Sequence, residues 1–428
     1  MKGSRTEQLG LLRTTLIIAT TAAVVGLLNV RQVCAQKGGL SAKTSEVKKM
    51  LRDKELTDAA LFETYFRTFF LKQFVTPTIP GFSLDDLHRV RSQLRIFLNG
   101  GKDGPPHERL NELIYEQLTK VVTSRENYGE YDSAIRYNAI LTLGELNETD
   151  PDGKPWAKPL DTFLVRVMTS KAKDYLKVGA LVGIERYAAA KAISPAKRAE
   201  ISKVMFDLVQ QKEPPDGRDP AVHVWMRRSA AQILVSLDAL GPDNSVVQAL
   251  TTILMNPQAR PTFRCEVAQL LGELKYPVNA KVDYQAIANY VGHETLELCK
   301  REIDSAKADN RPPSKKMLAY VLSSASLGLE GNDGKGGLWA AAAATPDNQK
   351  FIDTLRGKVK SLSTTLASSD SDTEPLPSSA LADFQGALMP LPADKEKEAQ
   401  QAAPAGKPAD GAKPAAAQAA AGAKKVDR

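Results

Sequence analysis

Side chains able to do chemistry are few and scattered. The chain carries four histidines, His88, His107, His223 and His293, and three cysteines, Cys34, Cys265 and Cys299. No histidine pair has the H-E-x-x-H spacing that sets two imidazoles on one helix face for zinc, and no C-x-x-C offers paired thiolates. A nucleophile elbow, a P-loop and a dinucleotide fingerprint are also missing, and the glycine-rich stretch 331–337 follows a helical pattern instead of a strand. Two His-Glu dipeptides, His107-Glu108 and His293-Glu294, remain, and an imidazole beside a carboxylate is a ligand pair that iron accepts. Cys265 and Cys299 lie in apolar helical runs and read as buried thiols, a single bridge between them being the alternative. This inventory gives no catalytic, cofactor-binding or metal-binding residue, and no cofactor.

The elements around these residues are helical. Hydrophobic residues make up 43% and aromatics 6%, with alanine prominent, which suits closely packed helices better than a β-sandwich. Thr57 to Phe74 places Leu61, Phe62, Tyr65, Phe66, Phe69, Phe70 and Phe74 at helical spacing, with Thr57 as N-cap. That stripe reads as a helix–helix seam. In Ser83 to Leu98, Ser83 caps, Asp85 and Asp86 favour the first turn, and Gly100-Gly101 ends the helix. From Pro106 to Ala308, helices alternate with turn chemistry at Pro151-Asp152-Gly153, Pro214-Pro215-Asp216-Gly217, Gly241-Pro242-Asp243 and Asn256-Pro257. No run alternates as a strand would. Helices are also expected within 311–330 and 348–366, a linker from Ser368 to Ser379, and beyond Asp394 a low-complexity tail without apolar anchors.

One motif recurs. IRYNAILTLGEL from Ile135, LKVGALVGIERY from Leu176, MRRSAAQILVSL from Met226 and FRCEVAQLLGEL from Phe263 align without gaps. Each opens apolar–basic, the basic residue being Arg136, Lys177, Arg227 or Arg264. A small or β-branched residue follows three places on (Ala139, Ala180, Ala230, Val267), and Leu143, Ile184, Leu234 and Leu271 come four later, all on one helix face. The basic residues recur at intervals of 41, 50 and 37 residues, close to the roughly 40–47 residues of a two-helix repeat. Each motif follows another amphipathic helix, as a helical hairpin requires. These segments resemble HEAT repeats over 106–308, and the whole is similar to exported bacterial HEAT-repeat proteins of unassigned function. The resemblance implies an all-α fold, a HEAT-type right-handed α-solenoid of stacked helical hairpins, with second helices lining the inner surface. A helical N-terminal cap (41–105) would precede it, and C-terminal helices (309–367) and a linker with a disordered tail (368–428) would follow. Val282 to Cys299 would begin a fifth repeat. Asp132 and Asp174 are the acidic partners near the basic positions, whose expected role is bonding to loops between repeats. Deoxyhypusine hydroxylase, a HEAT-repeat enzyme, is similar in carrying His-Glu dipeptides around iron. Having two of them here makes a metal-dependent oxygenase a remote alternative.

The amino terminus supplies an address. Lys2, Arg5 and Arg13 precede an apolar run from Thr14 to Val30, then Val33-Cys34-Ala35. Residues 1–35 therefore read as a signal peptide or a signal anchor, with export to the periplasm or cell envelope in both cases. Residues 14–30 would be the membrane tether in the second case. The net charge of +7 is partly local to this segment, and no basic stripe interleaved with aromatics points to nucleic acid. The function expected from these features is a non-catalytic protein–protein interaction scaffold in the envelope, its partner another protein. A membrane-tethered structural envelope protein is the alternative.

Overall fold

The structure, a computed structural model, describes residues 43–75, 83–100, 103–148, 153–277, 280–332, 334–369 and 374–391. The segment read as signal peptide or anchor and the tail from 392 onward lie outside the described residues. Among the described residues the chain is helical throughout, and its one β-type pairing is an isolated antiparallel bridge between Asn147 and Pro155. None of these helices is long and apolar enough to cross a membrane. Contacts divide the chain into two compact units, Met1–Ala239 and Leu240–Arg428.

In the first unit, α1 (Thr44–Asp53), α2 (Ala59–Thr64) and α3 (Leu84–Gly100) precede three hairpins. The aromatic stripe forms a buried seam as its spacing predicts: Phe62, Tyr65, Phe66, Phe70 and Phe74 are buried, and Phe97 of α3 packs edge-on against Phe66 and Phe70. Two details differ from the sequence reading. The N-cap is Asp58, not Thr57, because the Asp58 carboxylate accepts the Leu61 amide at 2.8 Å. The helix also changes pitch, through a π-helical turn at Tyr65–Phe70 and a 3₁₀ turn at Leu71–Phe74, so more of its rings reach one side. Ser83 and Asp86 cap α3 reciprocally, at 3.3 Å and 3.0 Å.

The hairpins pair α4 (Pro105–Thr123) with α5 (Asp132–Leu143), α6 (Val165–Thr169) with α7 (Asp174–Ala189), and α8 (Pro195–Gln210) with α9 (Pro220–Ser236). The turn Ala157–Pro159 and the π-helical turn Leu160–Leu164 lead into α6. Second helices pack on one another in chain order, α5 on α7 and α7 on α9. The α5–α7 approach is backbone-close, since a Cβ on Gly144 would sit 2.7 Å from the Gly183 Cα. Helix starts follow their sequence signals: Ser194 and Asp219 cap helices whose first residues are Pro195 and Pro220.

The second unit contains α10 (Ser245–Leu254), α11 (Pro261–Glu273), α12 (Tyr284–Ala308), α13 (Lys315–Glu330), α14 (Gly337–Ala341), α15 (Pro346–Ser368) and α16 (Ser378–Gly386). Here α10 packs on α11, α12 on α13, and α11 on α13. The last crossing is tightest: a Cβ on Gly272 would lie 2.2 Å from the Gly328 carbonyl oxygen, so only glycine lets these backbones meet. Helix α16 falls in and beyond the stretch read as linker. Its Leu381 and Phe384 are buried, and it packs on α12 and α15.

Candidate functional site

The recurring basic residues are placed first, because they are the repeat's most regular polar feature. Three of them cap the preceding helix from inside the hairpin. Arg136 Nη1 donates to the carbonyls of Val121, Val122 and Ser124 at 2.9, 3.1 and 2.8 Å, while its Nε holds Asp132 at 3.0 Å. Arg227 sends Nε and Nη2 to the Val209 carbonyl, at 3.0 and 2.9 Å. Arg264, 2% exposed, donates from Nε to the Leu254 carbonyl at 2.8 Å and pairs with Glu297. The last carbonyls of a helix lack partners and carry partial negative charge, so a buried guanidinium satisfies both needs. Lys177 departs from this pattern. It is half-buried, its pKa held below the usual lysine range by desolvation and then by Arg218. Asp174, an expected partner of the basic position, pairs instead with Arg218 at 3.0 Å.

Cys265 and Cys299 are both free and buried. Burial pushes the Cys299 thiol up to about 12 and the Cys265 thiol up as well, so neither is a ready thiolate. Beside them Glu294 is enclosed, its Oε1 3.8 Å from the Cys265 Sγ. Desolvation pushes its carboxyl up to about 8, partly offset by Arg264.

The two His-Glu dipeptides lie in different units. His107 is buried with Nε2 3.4 Å from the Asn147 carbonyl; His293 Nε2 lies 2.8 Å from the Met389 carbonyl. Among the described residues, no group of three or more His, Cys, Asp or Glu side chains is arranged to hold a metal ion.

At the start of α4 the first unit forms an open groove of about 610 Å³. The start of α4 supplies Glu108, Arg109, Asn111 and Glu112; the segment after α5 supplies Glu148 and Trp156. That segment is pinned from α7. Arg186 Nη1 donates to the Gly144 carbonyl at 2.8 Å and Nη2 reaches the Asn147 side chain, while the Tyr187 hydroxyl donates to the Trp156 carbonyl at 2.6 Å. Trp156 N donates to the Leu146 carbonyl at 2.9 Å, closing the segment on itself. Arg109 is drawn away to Glu63 at 2.8 Å, and Lys158 holds Glu112 at 2.6 Å while lying over the Tyr115 and Trp156 rings. Asn111, 3% exposed, gives its amide to the Asn147 carbonyl, and its Oδ1 is left without a hydrogen-bond donor.

The groove thus gathers the carboxylates of Glu108, Glu112 and Glu148 beside Trp156, with Lys158 already over the indole face. Such a set attracts a further cationic side chain by charge. None of Asn111, Glu148 or Trp156 was singled out in the sequence, because they come from segments about 40 residues apart and repeat nowhere else. The chain matches no protein-family model, no curated protein and no solved structure.

Proposed function

We propose that this chain is an exported, non-catalytic protein–protein interaction scaffold of HEAT type, and that the groove at the start of α4 takes a basic segment of its partner. The observation that carries the reading is the groove itself: Glu108 and Glu148 line it together with Trp156, and the segment bearing Glu148 and Trp156 is held by Arg186 and Tyr187. The successive packing of α5, α7 and α9, with Arg136 and Arg227 buried as caps, supports a solenoid that holds the groove's shape. Those guanidiniums serve main-chain carbonyls, which leaves partner recognition to other residues. The positions of His107 and His293 on main-chain carbonyls and the suppressed thiols fit a binding role better than catalysis. The test is a peptide array probed with the purified full chain. Arginine- and lysine-bearing peptides are retained and acidic ones are not; retention indifferent to peptide charge contradicts the proposal.

A further inference from the structure

We propose that α12 carries a second peptide site, which reads the main chain of an apolar segment and which the protein fills with its own residues 388–390. A partner segment of the same chemistry, leucine-like then methionine-like then proline, takes the site by displacing them. The proposal rests on the second unit alone and not on the groove of α4.

The contacts are those of a ligand in its site. Asn289, 3% exposed, donates from Nδ2 to the Met389 carbonyl at 3.1 Å and accepts the Met389 amide on Oδ1 at 2.9 Å. One side-chain amide thereby satisfies both main-chain groups of a single residue, just past the turn in which the Leu388 amide donates to the Gln385 carbonyl at 3.1 Å. His293 Nε2 donates to the same carbonyl at 2.8 Å, and Gln285 Nε2 approaches the Met389 Sδ at 3.5 Å. Leu388 seats over Gly292, where a Cβ would come within 2.4 Å of Leu388 Cδ2. These elements read backbone and shape, with no charge required, so they suit any chain of that form.

The occupant is also incompletely covered. Met389 and Leu388 remain half-exposed, and Pro390 is exposed. Outer anchors are exposed polar pairs, Lys358 with Asp383 at 2.6 Å and Lys300 with Gln385 at 2.8 Å, which contribute little.

The probe is a fluorescent peptide with the sequence of residues 383–391, titrated into the full chain. A site already occupied in cis binds its ligand more weakly by the fraction of time it is open. The double substitution Leu388→Asp, Met389→Asp therefore tightens peptide binding about tenfold or more over the unsubstituted chain. Adding Asn289→Ala abolishes that gain. A peptide N-methylated at its methionine, which cannot donate to Asn289, fails to bind. An opened chain that keeps its helical circular dichroism yet binds no better overturns the proposal, as does equal binding of the methylated peptide. Should the opened chain fail to fold, hydrogen exchange on the unsubstituted chain decides: saturating peptide speeds exchange of the chain's own residues 385–389, and unchanged rates refute the site. Concentration-dependent pairing of copies without uptake of added peptide refutes it too. Charge reversal in the groove of α4 leaves all these readouts unmoved, so the two proposals fail separately.

Discussion

The hairpins α8/α9 and α6/α7 carry the same motif, yet their basic residues behave differently. Arg227 is buried and spends two donors on the last carbonyl region of α8. Lys177, at the matching place, is half-buried and makes no hydrogen bond to a main-chain carbonyl among the described residues, and Arg218 has taken its acidic neighbour. The contrast teaches what the position is for. A guanidinium can bridge from one helix to the end of another because its donors form a planar fork, whereas an ammonium is a compact point charge that is costly to bury. Where the residue is arginine the position is a cap; where it is lysine, the cap is missing and α7 packs on α6 and on the π-helical turn Leu160–Leu164.

Three substitutions sharpen this contrast. The largest effect is expected at Arg264, the most enclosed of the set. Arg264→Ala leaves the Leu254 carbonyl unpaired, removes the partner of Glu297 and opens a cavity, costing roughly 3 kcal/mol in chemical denaturation. A loss below about 1 kcal/mol would show that the guanidinium is not a working cap. Next comes the direct exchange. Arg227→Lys costs about 1–2 kcal/mol, while Lys177→Met costs less than about 0.5; equal costs at the two sites would erase the distinction.

Glu294 gives an effect that appears only as pH changes. Its carboxyl, pushed up to about 8 against an ordinary 4.5, keeps its proton in the fold where the unfolded chain has lost it. The associated stability is full below the unfolded value and is lost as pH rises toward the folded one. Of the groups facing it, Arg264 favours its ionisation and Glu297 opposes it, while the Cys265 and Cys299 thiols, pushed up by burial, stay protonated over that window. Unfolding followed from pH 5 to 8 should fall by on the order of 1–3 kcal/mol more in the unsubstituted chain than in Glu294→Gln. Parallel profiles would mean that the carboxyl is already ionised in the fold.

Much of the framework was legible in the residues. The i, i+4, i+7 pattern in four segments marked the second helices, and Ser83 marked where α3 starts. A structural task for the arginines was legible as well, but their acceptors were not: a carbonyl belongs to every residue and leaves no trace in side-chain identity. The π-helical turn at Tyr65–Phe70 escaped because aromatic residues at nearly every position satisfy more than one helical pitch. Helix α16 escaped because only two anchors, Leu381 and Phe384, mark it within a proline- and serine-rich stretch. The groove of α4 and the cradle of α12 rest on buried asparagines, Asn111 and Asn289. An asparagine's worth depends on what folding brings opposite it.

The central claim is that the groove beside Trp156 binds a cationic segment of a partner protein. Calorimetric titration of the full chain with one arginine-bearing peptide retained by the array tests it most directly, with the double substitution Glu108→Gln, Glu148→Gln as comparison. The account predicts that affinity falls about tenfold or more in the substituted chain, that raised salt weakens binding to the original chain, and that melting temperatures stay equal. Equal affinity for both chains, at unchanged stability, would contradict it.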